Sequence, residues 1–496
     1  MQTAFDYIVL GAGSAGSIVA AELCKALPDS SVLLVEAGPK IAADENVIWD
    51  PTQWALVAQQ GKWEWGYESV PQKNLNNRVI KIGRAKGLGG CAIHNAMVYV
   101  RGGYRGFDHW AASGNLGWSY KEVLPYFEKV EDTLLVTIAK SDPLIDALVA
   151  ACRQQGIPYN ANYNQNSDQV CIAPFQFAIS PTHRRETSYS SFLPQTPPNL
   201  TVLTHCLIER IIIDNSQTAR GVVLRDLANG TVREVSASQE VVLSAGTIGS
   251  PQLLMLSGVG DPDELAQFQI PVVSALPGVG KNFQDDLFVT AGFQSPQPLP
   301  PQPYGLMGTV IFANSTNHNP LLGTDLESSL ATSSMAGMPG NLPKDSWYLY
   351  PNIQLLKSRG TVKLRSENPM DKPIIDPNFL DDPSDIQNCL DGLKLAMQIG
   401  NDTALSDWAS EQLMPTQDDD LEAYIRQTAD TCYHYAGTCK MGIDVDAVVT
   451  PDLKVRGVHN LRVIDASIIP TTVSGNTAAA TMMIAMKGSE LILQDT

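Results

Sequence analysis

The chain has 496 residues, with 34 Lys and Arg against 52 Asp and Glu, a formal net charge of −18 at pH 7. That global field repels nucleic acid and anionic membrane and leaves only local basic patches as contacts for either. A hydrophobic content of 44% with 17% charged residues, 38 Gly and 32 Pro excludes a disordered, coiled-coil or collagen-like chain.

At about 100 to 200 residues per domain the length predicts two to four structural units, or one large α/β domain that absorbs most of the chain. The eight cysteines are scattered, which argues against a disulfide framework, and Cys432 and Cys439 are too far apart for a CxxC unit; no metal is expected. The amino terminus enters a strand without a basic run and an apolar stretch, so no secretory signal is predicted. Apolar runs such as Ala478 to Ala485, with Thr481 inside, fall short of the roughly 20 residues that cross a bilayer. A cytoplasmic monomer or homodimer without a transmembrane segment is the expectation.

In chain order, Phe5 to Leu10 reads as a mostly apolar, β-branched strand, Gly11-Ala-Gly13-Ser-Ala-Gly16 as a turn and Ser17 to Leu27 as a helix. A second strand, Ser31 to Val35, ends at Glu36, twenty residues beyond Gly16. In that context Gly11 makes the tight turn, Gly13 admits a pyrophosphate, Gly16 lets helix and strand pack, and Glu36 accepts from a ribose. The motif does not choose between FAD and NAD. The aromatic cluster Trp49, Trp54, Trp63, Trp65 and Tyr67 reads either as ordinary packing or as a substrate wall or lid.

No second nucleotide fingerprint occurs between Leu200 and Gly280. Strand-like runs at Leu200 to Leu203, Ile208 to Ile213, Arg220 to Leu224 and Glu240 to Ser244, the last opening into a helix after Ala245, predict an interrupted α/β domain that returns to the nucleotide sheet. The Pro- and Gln-rich Gly292 to Pro303 predicts an irregular connection or lid. Strand candidates at Gly308 to Phe312, Trp347 to Leu356 and Gly360 to Leu364 suggest an antiparallel second domain, with at most some of Trp347, Tyr348 and Tyr350 facing a pocket. Leu461 to Ser467 reads as a buried strand and Thr477 to Leu491 as a helix.

Several separated stretches then share one resemblance. Asp6 to Gly16 with Leu34 to Gly38, Gly83 to Gly102, Ser244 to Leu254, Gly278 to Asp285, Ser358 to Gly360, Ile375 to Phe379, His434 to Gly442 and Asp465 to Asn476 together resemble, in order, the flavin-dependent glucose-methanol-choline (GMC) oxidoreductases. The resemblance implies an α/β FAD-binding Rossmann-like domain interleaved with an α+β substrate domain containing a large antiparallel sheet. Its segments would be FAD-binding with a flavin lid at 1–150, substrate at 151–195, FAD-binding at 196–285, substrate at 286–425, and FAD-binding and catalytic at 426–496.

By the same resemblance FAD would be held by Gly11, Gly13, Ser14, Ala15, Gly16, Glu36, Ala37, Arg84, Gly89, Gly90, His94, Asn95, Ala96, Met97, Ala245, Gly246, Asp465, Ala466, Asn476 and Thr477, with Gly87 in the same wrap and Asp465 on a ribityl hydroxyl. His434 and Asn476 match the catalytic positions. Taking hydride from an alcohol carbon requires its oxygen to lose a proton, a task for an imidazole, while an amide N–H can hold the oxygen without competing for that proton. The implied activity is oxidation of an alcohol to an aldehyde or ketone, with hydride passing to flavin N5 and the flavin reoxidised by oxygen or another acceptor.

Gly89-Gly-Cys-Ala-Ile-His-Asn95 is similar to the choline-oxidising branch, whose histidine is bonded to the flavin 8α-methyl group, so His94 is expected either to carry such a bond or to hydrogen-bond beside the flavin. Cys91, with no base identifiable from sequence, is expected to pack as a small residue. Asp286 departs from the family, which usually has His there at a noncatalytic position. Other uses of the implied fold are a carbon–carbon lyase of the hydroxynitrile lyase kind, a light-driven fatty-acid decarboxylase, and a protein that only binds nucleotide.

Overall fold

The structure is a computed structural model and describes residues 2–165, 169–305, 308–333 and 342–496. Its first sheet has seven strands. Ala4–Leu10 lies between Val32–Val35 and Val232–Leu243, parallel to both, Leu200–Leu203 extends one side in parallel, and Ala219–Asp226 with Cys206–Ile213 extends the other in antiparallel pairing. Leu461–Val463 returns from the far end of the chain to pair in parallel with Val232–Leu243. Val32–Val35 is buried at every residue, as a parallel strand covered on both faces must be.

Helices Gly16–Ala26 and Thr477–Gln494 pack together against this sheet. The apolar run of Thr477–Gln494 is therefore a core helix, held also by Tyr120–Glu131; among the described residues no helix is long and apolar enough to cross a membrane.

The second sheet is antiparallel and has eight strands. Its path runs Glu411–Met414, Ala291–Gln294, Ser346–Ile353, Leu326–Thr332, Thr309–Ala313 and Cys171–Pro174, and Leu287–Phe288 joins Ser346–Ile353 to Asp430–Thr431. Strand alternation splits its side chains. Leu326, Leu330, Trp347, Leu349 and Ile353 form one core, with helix Pro383–Gly400 against it, while Val310, Phe312 and Ala331 belong to the core shared with the first sheet. The FAD-binding architecture and the antiparallel second sheet are thus both present, each assembled from distant stretches.

Four local expectations need correction. Gly292 to Pro303 begins as strand: Ala291–Gln294 pairs with Ser346–Ile353, and Phe293 stacks on Trp347 with centroids 4.6 Å apart, so the irregular run starts only afterwards. Thr361–Lys363 pairs with Ile374–Asp376 in a separate ribbon, outside the large sheet. The last strand stops at Val463, because the Asp465 side chain caps a short 3₁₀ turn, Ala466–Ile468. Val232–Leu243 is far longer than its apolar end predicts, since its alternating polar half pairs with Ala219–Asp226.

Candidate active site

At the carboxyl edge of the parallel strands two glycine loops meet. Gly11 adopts φ +101°, and a Cβ there would lie 2.4 Å from Ser244 O; a Cβ on Gly16 would lie 1.9 Å from Gly11 O. Turn and close packing both require glycine, as expected. Glu36 is buried, accepting from Ala12 N at 3.1 Å and from Gly38 N at 2.9 Å, so it also ties the first loop to the second strand's exit. Burial pushes its carboxyl up against those bonds. Helix Gly16–Ala26 starts at Ala15 without a side-chain cap; Ser17 N already bonds Gly13 O and Ile18 N bonds Ala15 O, so it is the positive end of the helix that is offered to an anion.

The second loop crosses the first at Gly90 (φ +54°), where a Cβ would lie 2.6 Å from Gly13 Cα. Gly90→Ala is therefore expected to push the loops apart and yield protein with little bound flavin; absorbance per folded protein checks this. Uncapped helix, glycine crossing and acid at the strand end fit the diphosphate and ribose of FAD, and Ser14, Ala15 and Ala37 lie on these same loops.

Gly89-N donates to Ala12 O, and the turn Gly90–Ile93 leads to His94. His94 Nδ1 donates to Glu64 Oε1 at 2.6 Å, both side chains being nearly buried. Burial lowers the imidazole's basicity, but bonds to Cys91 and Glu64 outweigh it and hold His94 up to about 9. Burial likewise raises Cys91, and the Arg84 charge with the His94 bond overcomes it, bringing the thiol down to about 7. Cys91, for which the sequence identifies no base, lies beside His94, three residues on.

Below this turn lies a buried arginine that no motif pointed to. Arg185 donates to Ile48 O, Ala92 O, Asn95 O and Asn95 Oδ1, while Asn95 Oδ1 also accepts from Met97 N. Its burial could be suspected only from the tertiary fold, since Arg184 and Arg185 are adjacent in sequence and only Arg185 is buried.

The His434 loop is held from two sides. Thr247 Oγ1, on helix Gly246–Leu256, donates to Tyr435 O at 2.7 Å, and Thr438 Oγ1 donates back to Thr247 O at 2.6 Å. His434 N donates to Asp285 Oδ1 at 2.9 Å, and Thr431 Oγ1 donates to Asp285 Oδ2 at 2.5 Å. Arg84 stacks on Tyr435 at 4.3 Å and donates to Tyr433 O, which places its head at this loop rather than at the first glycine turn.

His434 and Asn476, 42 residues apart, are brought together: Asn476 Nδ2 donates to His434 Nε2 at 2.9 Å. On the other side His434 Nδ1–H donates to Asp286 Oδ2 at 2.8 Å, with the Asp286 side chain 1% exposed. That bond sets the tautomer and leaves Nε2 as the acceptor. Asp286, expected as a departure at a noncatalytic position, has its carboxylate against the catalytic candidate. Burial lowers His434, yet the Asp286 bond and the charges of Asp286, Glu327 and Asp285 win, holding it above its ordinary value. Asn476 is the N-cap of the last helix, but its side chain caps nothing there and its Oδ1 is buried without a partner. Thr477 begins that helix.

Asp465 has both carboxylate oxygens engaged within the protein, by Gly246 N, Ser250 Oγ and Ser467 N, so it clamps Ala245–Gly246 to Ala466. The early aromatic residues do not form one wall. Trp49 stacks under Arg184, Trp54 donates to Gly305 O, Trp63 is buried, and Trp65 stacks on Tyr67.

The GMC oxidoreductase family matches at residues 5–288 and again at 357–485. The chain is 34% identical to the oxygen-dependent choline dehydrogenase of Yersinia pseudotuberculosis serotype IB (strain PB1/+), covering 98% of this chain and 93% of that one. It is 33% identical to the enzyme of the same name from Klebsiella pneumoniae subsp. pneumoniae, over 98% and 96% of the two chains. Among solved structures it is similar to pyridoxine 4-oxidase from Mesorbium loti, with a TM-score of 0.90, 28% identity and 98% of each chain covered.

Proposed function

Because this chain belongs to the GMC oxidoreductase family, FAD-dependent enzymes that oxidise CH–OH groups, we propose that His434 is the base and Asn476 the oxygen-holding donor of its alcohol oxidation. Bound FAD supplies the hydride acceptor and passes its electrons on to oxygen. The observation that carries the assignment is the Asn476–His434–Asp286 chain of hydrogen bonds. An alcohol hydroxyl entering between Nδ2 of Asn476 and Nε2 of His434 accepts from the first and donates to the second, so its proton leaves as the carbon gives up hydride. Asp286 is the positioning residue that keeps Nδ1 protonated and Nε2 free to accept.

Anaerobic mixing with a panel of aryl, aliphatic, amino and sugar alcohols tests this reading. Bleaching of the flavin band by one class, followed by recolouring in air, is the expected result. Turnover without bleaching, or product only under illumination with a fatty acid, would overturn it in favour of lyase or photochemical chemistry.

The cofactor's attachment is a second part of the proposal. With Nδ1 given to Glu64, Nε2 is the ring nitrogen left for carbon once it loses the proton that the Cys91 and Glu64 bonds favour, and we propose a bond from it to the flavin 8α carbon. Its formation would take one proton from the imidazole and one from the methyl group, with two electrons passing to oxygen. Acid-precipitated protein is then expected to stay yellow in the wild type and in Cys91→Ala but not in His94→Ala. All colour in the wild-type supernatant would overturn the bond, and loss of colour in Cys91→Ala alone would move it to sulfur.

A further inference from the structure

On strand Leu326–Thr332, Glu327 lies opposite Asn352, and Asn352 lies opposite Phe288 on its other side. Cross-strand partners share a sheet face. Phe288, Asn352 and Glu327 thus form a row that starts two residues from Asp286 and beside Asp430–Thr431, the strand that leads to His434. Tyr350, next on this face, meets Phe288 edge to face at 5.6 Å.

Glu327 is 3% exposed, and among the described residues no ion pair includes it. His434, whose charge acts on Glu327, is already paired with Asp286. Gln354 Nε2 donates to Glu327 Oε2 at 2.7 Å, but Gln354 Oε1 and Asn352 Oδ1 are buried and have no partner. A buried carboxylate without a cation, flanked by orphaned carbonyl oxygens, is costly until donors arrive. The row offers acceptors and asks for N–H groups bearing positive charge. A trimethylated nitrogen has the charge but no N–H and would leave those oxygens unsatisfied; a primary or secondary ammonium supplies both.

We propose that Glu327, with Gln354 and Asn352, is a subsite for the protonated amine of an amino alcohol, so that the substrate carries an N–H-bearing ammonium as well as the hydroxyl oxidised at His434. This rests on alcohol oxidation at His434. Burial pushes Glu327 up to about 7, so an arriving ammonium also displaces a proton that the free site holds in part at neutral pH.

The test is anaerobic flavin reduction by matched aliphatic and aryl alcohols, each in neutral, primary-ammonium and trimethylammonium form, with the wild type and Glu327→Gln. The expected wild-type result is a preference of at least about tenfold for the primary-ammonium member over both siblings, seen as rate over apparent Kd. In Glu327→Gln that preference falls by about tenfold or more, whatever change common to all three members the lost charge makes through His434. Wild-type preference for the neutral or trimethylated member overturns the subsite, as does a preference that survives in Glu327→Gln; in each case reduction still supports alcohol oxidation. Reduction by no member at any charge overturns the reading at His434 and the subsite with it. Where Glu327→Gln fails to fold, the wild-type comparison decides.

Discussion

His434→Ala is expected to slow anaerobic flavin reduction by about 10²- to 10⁴-fold, the usual contribution of a positioned general base, while flavin content stays near that of the wild type. The split follows from where the side chain lies. Its partners are Asp286 and Asn476, and the glycine crossing at Gly13 and Gly90 and the Glu36 tie are made by other residues. Truncation removes the acceptor at Nε2, so an alcohol would have to give its hydride while keeping its proton, and positive charge would accumulate on carbon. His434→Gln, which can still hydrogen-bond but accepts no proton near neutrality, is expected to fall with the alanine variant. Reduction at the wild-type rate in either variant, measured by stopped-flow absorbance, would remove His434 from the reaction. Loss of flavin in proportion to loss of rate would make it a residue of cofactor binding instead.

Features of this site that depend on local physics are legible in the chain, and those that depend on distant packing are not. Gly11, Gly16 and Glu36 can be read because a turn, a helix start and an acid at a fixed offset lie within one βαβ unit. His434 and Asn476 have no local signal that joins them; matched motifs suggested the pair, and the loop pinned by Thr247 brings it within 2.9 Å. Asp286 is hard to read because a carboxylate in place of an imidazole looks like a lost group. Only the pairing of Leu287–Phe288 with Asp430–Thr431 shows that it lies against the Nδ1 side of His434. Glu327 was invisible for a related reason: Leu-Glu-Ser-Ser-Leu-Ala-Thr is a poor strand by propensity, and its burial comes from the neighbouring strands. Gly292 and Phe293 read with the prolines that follow them, although pairing with Tyr348 and Trp347 makes them part of the sheet.

Asp286→Asn is expected to cut flavin reduction at neutral pH by about ten- to a hundredfold, the weight of one hydrogen bond to a charged group, and to move the acid limb of the rate against pH downward. The sign follows from the opposing effects on the imidazole. Burial favours its neutral form and alone would lower its pKa; the bond to Asp286 and the charges of Asp286, Glu327 and Asp285 favour the cation and prevail. The base is available only above that raised pKa, so the wild-type acid limb lies above the ordinary histidine value of about 6.5. Removing the Asp286 charge takes away the strongest of the groups that oppose burial. The limb then falls, while the plateau at high pH stays below the wild type because a weaker and less firmly held base takes the proton. Stability carries the same sign. A raised folded pKa gives stabilisation that is fully present below about 6.5 and is lost as pH rises through the folded value. Asp286→Asn should therefore lose more Tm at pH 6 than at pH 9. A purely structural role for Asp286 predicts equal loss at both pH values and an unmoved limb. An acid limb that stays in place while the rate falls would show that Asp286 holds the loop without setting the basicity of His434.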